Sequence, residues 1–279
     1  VKRLSRAVTK GAVGVDPLPA PFASWADRGI RFYPKNVHMI AGRPGSFKTM
    51  LALNAIVNMG LPTLGFSNDS DDLTVASRLL AMTSGKTSEA MEEWISSAPQ
   101  DAAQALARFD HIQWNFQVPL HLDDVWLELY AYHEVNGLWP KVILIDILKN
   151  VVLDGLDEWG ALREVMMQSL AIARETEAAV ILVHHCTDGA KGYPVPSRVD
   201  VLGKISGLPA VMVNVGMDNE GGMWAAGVKV RKAKSDPDAK NPFRMSVDPA
   251  TSRVTDYIPM PAYAGYEHAH AGDEGQWWK

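Results

Sequence analysis

Eight consecutive residues, Gly42, Arg43, Pro44, Gly45, Ser46, Phe47, Lys48 and Thr49, have the types and spacing needed to hold a chain of phosphates. The glycines let the backbone curl so that successive N–H groups converge on one anion. Lys48 supplies positive charge for the terminal phosphates, and the Thr49 hydroxyl is an oxygen ligand for Mg²⁺. Context gives the pattern its meaning. The apolar run NVHMIA at residues 36–41 reads as a strand, and MLALNAIVNM at residues 50–59 as a helix that opens directly on the loop. The chemistry implied is binding and hydrolysis of a nucleoside triphosphate; the bland alternative is a Gly/Pro-rich turn that happens to end in Lys-Thr. The residue before Lys48 is usually glycine in such loops and here is Phe47. Either its ring packs away from the phosphates and leaves the loop intact, or it alters the nucleotide site.

Hydrolysis needs further groups, and three places offer them. Asp146 ends the apolar run VILID, so it falls at the carboxyl end of a buried strand, where it can hold Mg²⁺ unless it merely caps the strand. Asp69 follows the strand TLGFS and can polarise the attacking water, while a helix N-cap by Asp69, Ser70 or Asp71 competes with that role. His184 and His185 end the strand VILVH and can sense the terminal phosphate or orient water. Metal binding by the pair with Cys186 is the weaker reading, since neighbours on a strand face opposite ways.

The elements that position these residues are those of an α/β chain. Residues 142–147 and 180–184 are apolar runs expected of strands buried on both faces, with a helix at about 159–176 between them, which sets parallel β–α–β order. Further strands are expected at 63–67, 111–116, 211–215 and 225–230, and helices at 73–82, 89–107 and 123–134. The basic segment 232–240 reads as the tip of a β-hairpin returning through 244–247. Residues 1–35, with Pro17, Pro19, Pro21 and Pro34, read as an N-terminal arm whose order needs a partner surface. Residues 36–258 form the core, and residues 259–279, ending QWWK, a flexible tail.

Bulk properties narrow the classes. The 279 residues, 47% hydrophobic and 21% charged, suit one large domain. No apolar run is long enough for a membrane span, so a soluble, cytoplasmic protein with no membrane partner is expected. A single cysteine, Cys186, excludes an intramolecular disulfide. The net charge of −5 gives no global attraction to nucleic acid, but Lys229, Arg231, Lys232, Lys234, Lys240 and Arg244 crowd one stretch.

The motifs, in their order, resemble the RecA-like P-loop NTPase core of DnaB-type (superfamily 4) helicases and their RadA/KaiC-like relatives, including stand-alone phage and plasmid versions. AGRPGSFKT resembles the first nucleotide motif, TLGFSNDSDDLTVASRLLAMTSG the strand and helix carrying the catalytic acid, KVILIDILKNV the Mg²⁺-binding strand, and VILVHHCTDG the sensor strand. The resemblance implies a mainly parallel central sheet flanked by helices, ATP with Mg²⁺, and catalytic roles for Lys48, Asp69, Asp146 and His185, with Thr49 and Asp146 at the metal. Asp69 stands in the place of a glutamate and His185 in that of a glutamine. The resemblance further implies a hexameric ring on single-stranded or forked DNA, alongside other replication or recombination proteins. A trans-acting cation would come from Arg231, Lys232 or Lys234, with Lys229/Arg231 and Lys232/Lys234 as two registers. DNA phosphates would be met by Lys191, Arg198 and Lys204 in the loop 187–207, with Tyr193 as a stacking residue. A recombination mediator with little turnover and a metal-dependent nuclease on branched DNA are the competing functions, and a regulatory ATPase acting on proteins is another.

Overall fold

A computed structural model describes residues 16–153, 155, 158–187 and 194–259. After a short helix α1 (Ala23–Asp27), the chain runs β1 (Asn36–Gly42), α2 (Lys48–Met59), β2 (Thr63–Ser67) and α3 (Asp72–Ser84). A helical pair, α4 (Ser88–Ser97) and α5 (Pro99–Leu106), leads to β3 (Ile112–Asn115), the short β4 (Leu120–His121) and α6 (Leu122–Asn136). Then follow β5 (Val142–Asp146), the short β6 (Val151–Val152), α7 (Glu158–Glu175), β7 (Ala179–His185) and β8 (Val211–Met217). β9 (Met223–Lys229), β10 (Phe243–Asp248) and β11 (Arg253–Asp256) complete the order.

Among the described residues nine strands form one sheet, in the order β11-β10-β9-β8-β1-β7-β5-β2-β3. Pairing is parallel from β8 through β3 and antiparallel from β8 out to β11. The expected β-hairpin is therefore present as β9–β10 across the basic turn, and β11 extends it by a strand that the periodicity of residues 253–256 is too short to announce. The expected helix at 89–107 is two helices, because Ala98 leaves helical geometry and Pro99 starts a new one at its first position.

Successive residues of the central strands alternate between two apolar layers. Val142 and Leu144 of β5, with Ile181 and Val183 of β7, face the layer that holds α2. Ile143 and Ile145, with Val180 and Leu182, face the layer that holds α6 and α7. This double burial is why those runs are apolar throughout.

The stretch from Leu18 to Tyr33 packs against the first layer. Phe22, Trp25, Ile30, Phe32 and Tyr33 are buried in it, and both oxygens of Asp256 on β11 cap α1 by accepting from Ala23 N (2.8 Å) and Ser24 N (3.0 Å). The surface that orders this stretch is the chain's own sheet. Among the described residues no helix is long and apolar enough to cross a membrane.

Candidate nucleotide site

Strand β1 ends on Gly42, where a Cβ would stand 2.4 Å from Ser46 Oγ and 2.7 Å from Val215 O, so a side chain cannot enter. Gly45 adopts φ +75° in open space. Phe47, at the N-cap of α2, has φ 55° and ψ 28°, the left-handed backbone that glycine takes without penalty. Its ring is half-buried against the apolar layer around α2 while bordering the cleft above. The loop thus keeps the glycine-like backbone, and the packed ring offsets the strain of holding it.

Lys48 is the first residue of α2 and only 7% exposed. Burial drives its pKa down, while Asp146 and then Asp69 hold it up. Such a cation, stripped of water and only partly compensated, is suited to an incoming anion. Beside it, Thr49 Oγ1 donates to Asp146 Oδ1 at 3.2 Å.

Asp146 is 4% exposed at the end of β5, in register with Ser67 at the end of β2. The two strand ends are stapled: Asn68 N donates to Asp146 O at 2.9 Å, and Ile147 N to Asn68 Oδ1 at 2.5 Å. Burial, the largest influence, pushes the Asp146 carboxyl up to about 6 against the Thr49 hydrogen bond, with Asp69 adding to the rise and Lys48 opposing it.

Asp71 settles the competition for the helix cap. Its carboxylate accepts from Thr74 N at 2.8 Å, and this hydrogen bonding holds it below the usual carboxylate range. Asp69 takes no part in the cap. It stands exposed in a turn held by Ser67 Oγ donating to Ser70 O at 2.7 Å, close enough to Asp146, Lys48 and His185 to influence all three.

Strand alternation separates the two histidines. His184 faces the α7 layer, fully buried, with Nε2 3.1 Å from Leu202 O, and burial lowers its pKa to about 4. His185 lies opposite Gly42 on β1 and faces the α2 side. Its pKa is lowered by partial burial and then by Lys48. His185 therefore belongs with the loop and His184 with the core. Among the described residues no three His, Cys, Asp or Glu side chains gather as a metal cluster.

A cleft of about 440 Å³ runs from the loop past Asp69 to α3, α4 and the β10–β11 turn. Arg78, one residue absent from the sequence reading, lines it, donates to Ser70 Oγ at 3.3 Å and influences Asp146. Its signal was faint: one cation on the polar face of a helix, nine positions after Asp69. Arg78→Ala is expected to lower turnover by at least about tenfold with little change in the melting midpoint, since it removes a charged group from the site and no core packing. Steady-state kinetics alongside a melt checks both.

The remaining expected residues lie elsewhere. Arg231 Nη1 donates to Asn36 Oδ1 at 2.7 Å, at the start of β1, and Lys232 stands 5.5 Å from the Tyr33 ring centroid. Lys234 borders a separate recess shared with Arg28 and Phe243. Lys229 Nζ donates to Gly207 O at 2.6 Å. Arg198 and Lys204 sit on short turns after β7, and Lys204 borders a cleft with Trp159 and Arg163 of α7. Lys191 and Tyr193 lie outside the described residues.

A phosphate-type loop after β1, an acid at the end of β5 hydrogen-bonded to the loop threonine, and a mainly parallel sheet define an ATP-hydrolysing P-loop enzyme of RecA-like fold. The chain belongs to the AAA domain family, whose family model matches residues 15–190. It is 27% identical over 264 residues to the Gene 65 protein of Mycobacterium phage L5, covering 89% of this chain and 96% of that one. The Gene 65 protein of Mycobacterium phage D29 is 28% identical over 234 residues, covering 78% and 98%. Among solved structures, a DnaB-like replicative helicase described with its interactions with primase superposes with TM-score 0.73 at 13% identity, covering 91% of this chain but 65% of the helicase chain. A KaiC-like protein from Pyrococcus horikoshii superposes with TM-score 0.61 at 13% identity, covering 88% and 100%. This chain thus spans just under two thirds of the helicase it resembles in fold.

Proposed function

We propose that the protein is an ATP-driven motor on single-stranded DNA that works as an assembly of several copies, with each nucleotide held by one copy and completed by the next. Within one copy, the loop N–H groups and Lys48 hold the phosphates. Asp69 orients the attacking water and takes its proton, and His185 stands beside Lys48 to sense the terminal phosphate. Thr49 and Asp146 are adjacent hard-oxygen donors that fit Mg²⁺, which when bound supplies charge neutralisation to the phosphates.

The observation that carries the assembly is where Arg231 and Lys232 lie. They are anchored at the start of β1, whereas the phosphate loop follows its other end, seven residues or about 20 Å away. A cation there is out of reach of its own nucleotide, which supports the reading that it acts on a neighbour's. Lys204 and Arg163, which border one cleft with exposed Trp159, supply cations and a stacking surface for a single strand, and Arg198 on its own short turn adds another cation.

A mixing experiment tests this reading. Arg231→Ala and Lys48→Ala proteins are each expected to be nearly inactive, and their mixture to regain DNA-stimulated turnover, because some sites then combine an intact loop with an intact neighbouring arginine. A mixture as inactive as its parts, or turnover indifferent to single-stranded DNA, would count against it. Strand displacement that requires ATP separates the motor from a strand-binding mediator.

A further inference from the structure

The cleft continues beyond the groups that hold phosphate, and its far end is built from different chemistry. There α4 is drawn against the β10–β11 turn: Ser88 N donates to Ala250 O at 2.9 Å, and Ser88 Oγ lies 3.0 Å from Ser252 Oγ. Ser252 is itself buried, with its carbonyl accepting from Asn54 Nδ2 of α2 at 2.9 Å. Arg253 Nε donates to Met82 O at 2.7 Å, tying the same turn to the end of α3. Three elements therefore fix this wall before any ligand arrives.

Into it projects Glu92 of α4, partly buried, with Oε1 3.5 Å from the Oγ of fully buried Ser77. Among the described residues that line the cleft, Phe47 at the loop is the one aromatic. A carboxylate accepts hydrogen bonds and repels phosphate, so Glu92 does not itself hold the phosphate chain. A nucleotide held by its phosphates at the loop presents next its sugar, whose neighbouring 2′ and 3′ hydroxyls are two donors at the spacing of a carboxylate's two oxygens. Acidic side chains hold ribose in this way in dinucleotide-binding folds. Among the described residues no ring at that end offers a stacking face for the base.

We infer that Glu92 accepts hydrogen bonds from the ribose hydroxyls, so that the site selects ribonucleotides over 2′-deoxynucleotides. This rests on the nucleotide reading above and adds the residue that recognises the sugar. Recognition by Glu92 also ties α4 to ligand occupancy, since the helix supplies both the carboxylate and Ser88.

Calorimetric titration with ADP and 2′-deoxyADP in the presence of Mg²⁺ tests it without turnover. The unaltered protein is expected to bind ADP about tenfold more tightly, as fits the loss of a hydrogen bond to a charged acceptor. In Glu92→Ala the two affinities should converge to within about twofold, while Lys48→Ala weakens both ligands alike and places them in this cleft. Equal affinities in the unaltered protein, or a preference that survives in Glu92→Ala, would overturn the inference and leave the phosphate site standing. Failure of the unaltered protein to bind either nucleotide would overturn the phosphate site and the inference with it.

Discussion

Lys48→Ala is expected to reduce ATP turnover by about 10²–10³-fold or more, with and without single-stranded DNA. Lys48 is the cation at the mouth of the loop, and its surroundings explain the size of the effect. It is nearly buried, so its charge acts through protein rather than water, and burial outweighs the support it receives from Asp146 and Asp69. A phosphate chain relieves that shortfall, and more so as charge builds up in the transition state. Removing the side chain also takes away a desolvated charge, so the empty protein should melt no lower than the unaltered one by more than the loss of a few packed methylenes. Loss of turnover with an intact melting transition is therefore the signature. Turnover within a few-fold of the unaltered protein would mean that phosphate is held elsewhere.

The loop was legible because its chemistry is contiguous: glycines, Lys48 and Thr49 lie within eight residues, flanked by runs whose apolar content marks a strand and a helix. Asp146 was legible for a related reason, since a carboxylate at the end of an apolar run sits where burial stops. What periodicity could not resolve was competition among neighbours of like chemistry. Asp69, Ser70 and Asp71 all fit a helix cap, and only the geometry of the Thr74 amide awards it to Asp71 and leaves Asp69 available. The histidines are separated by which face of β7 each occupies, and that depends on which helix covers the face.

Other parts were hidden because their partners are far away in sequence. Residues 16–35 look like an unstructured arm when their prolines are read alone. Phe32 and Tyr33 pack on His38 of β1, but the layer that buries the stretch also includes residues of β9, β10 and β11, and Asp256 caps a helix more than 230 residues upstream. Glu92 is hidden in the same sense. It belongs to an acidic helix whose solvated face is the ordinary expectation, and it reaches the cleft because Ser88 docks on a turn about 160 residues downstream.

Asp146→Asn is expected to make the empty protein more stable at pH 8 while lowering turnover by about 10²-fold or more. The carboxyl is raised from 3.8 to about 6, chiefly by burial. A raised folded-state pKa means that the folded protein holds the proton more tightly than the unfolded chain. The resulting stabilisation is whole below about 3.8 and is lost as the pH climbs through about 6. Above that, the folded protein carries a buried charge at a cost of about 3 kcal/mol, an order-of-magnitude figure from roughly two pKa units. Asparagine keeps an oxygen for the Thr49 hydroxyl and carries no charge, so its melting midpoint at pH 8 should exceed the unaltered protein's by about 5 °C. The gap should close by pH 4, where both side chains are neutral. Mg²⁺ with ADP should narrow it at pH 8 as well, because the ligand stabilises the unaltered site selectively. Melts at the two pH values decide the matter: an asparagine variant that melts lower at pH 8 would mean that the carboxylate is compensated in the empty site. If it melts higher yet hydrolyses nothing, Asp146 is a charge that the fold tolerates at its own expense for the ligand that neutralises it.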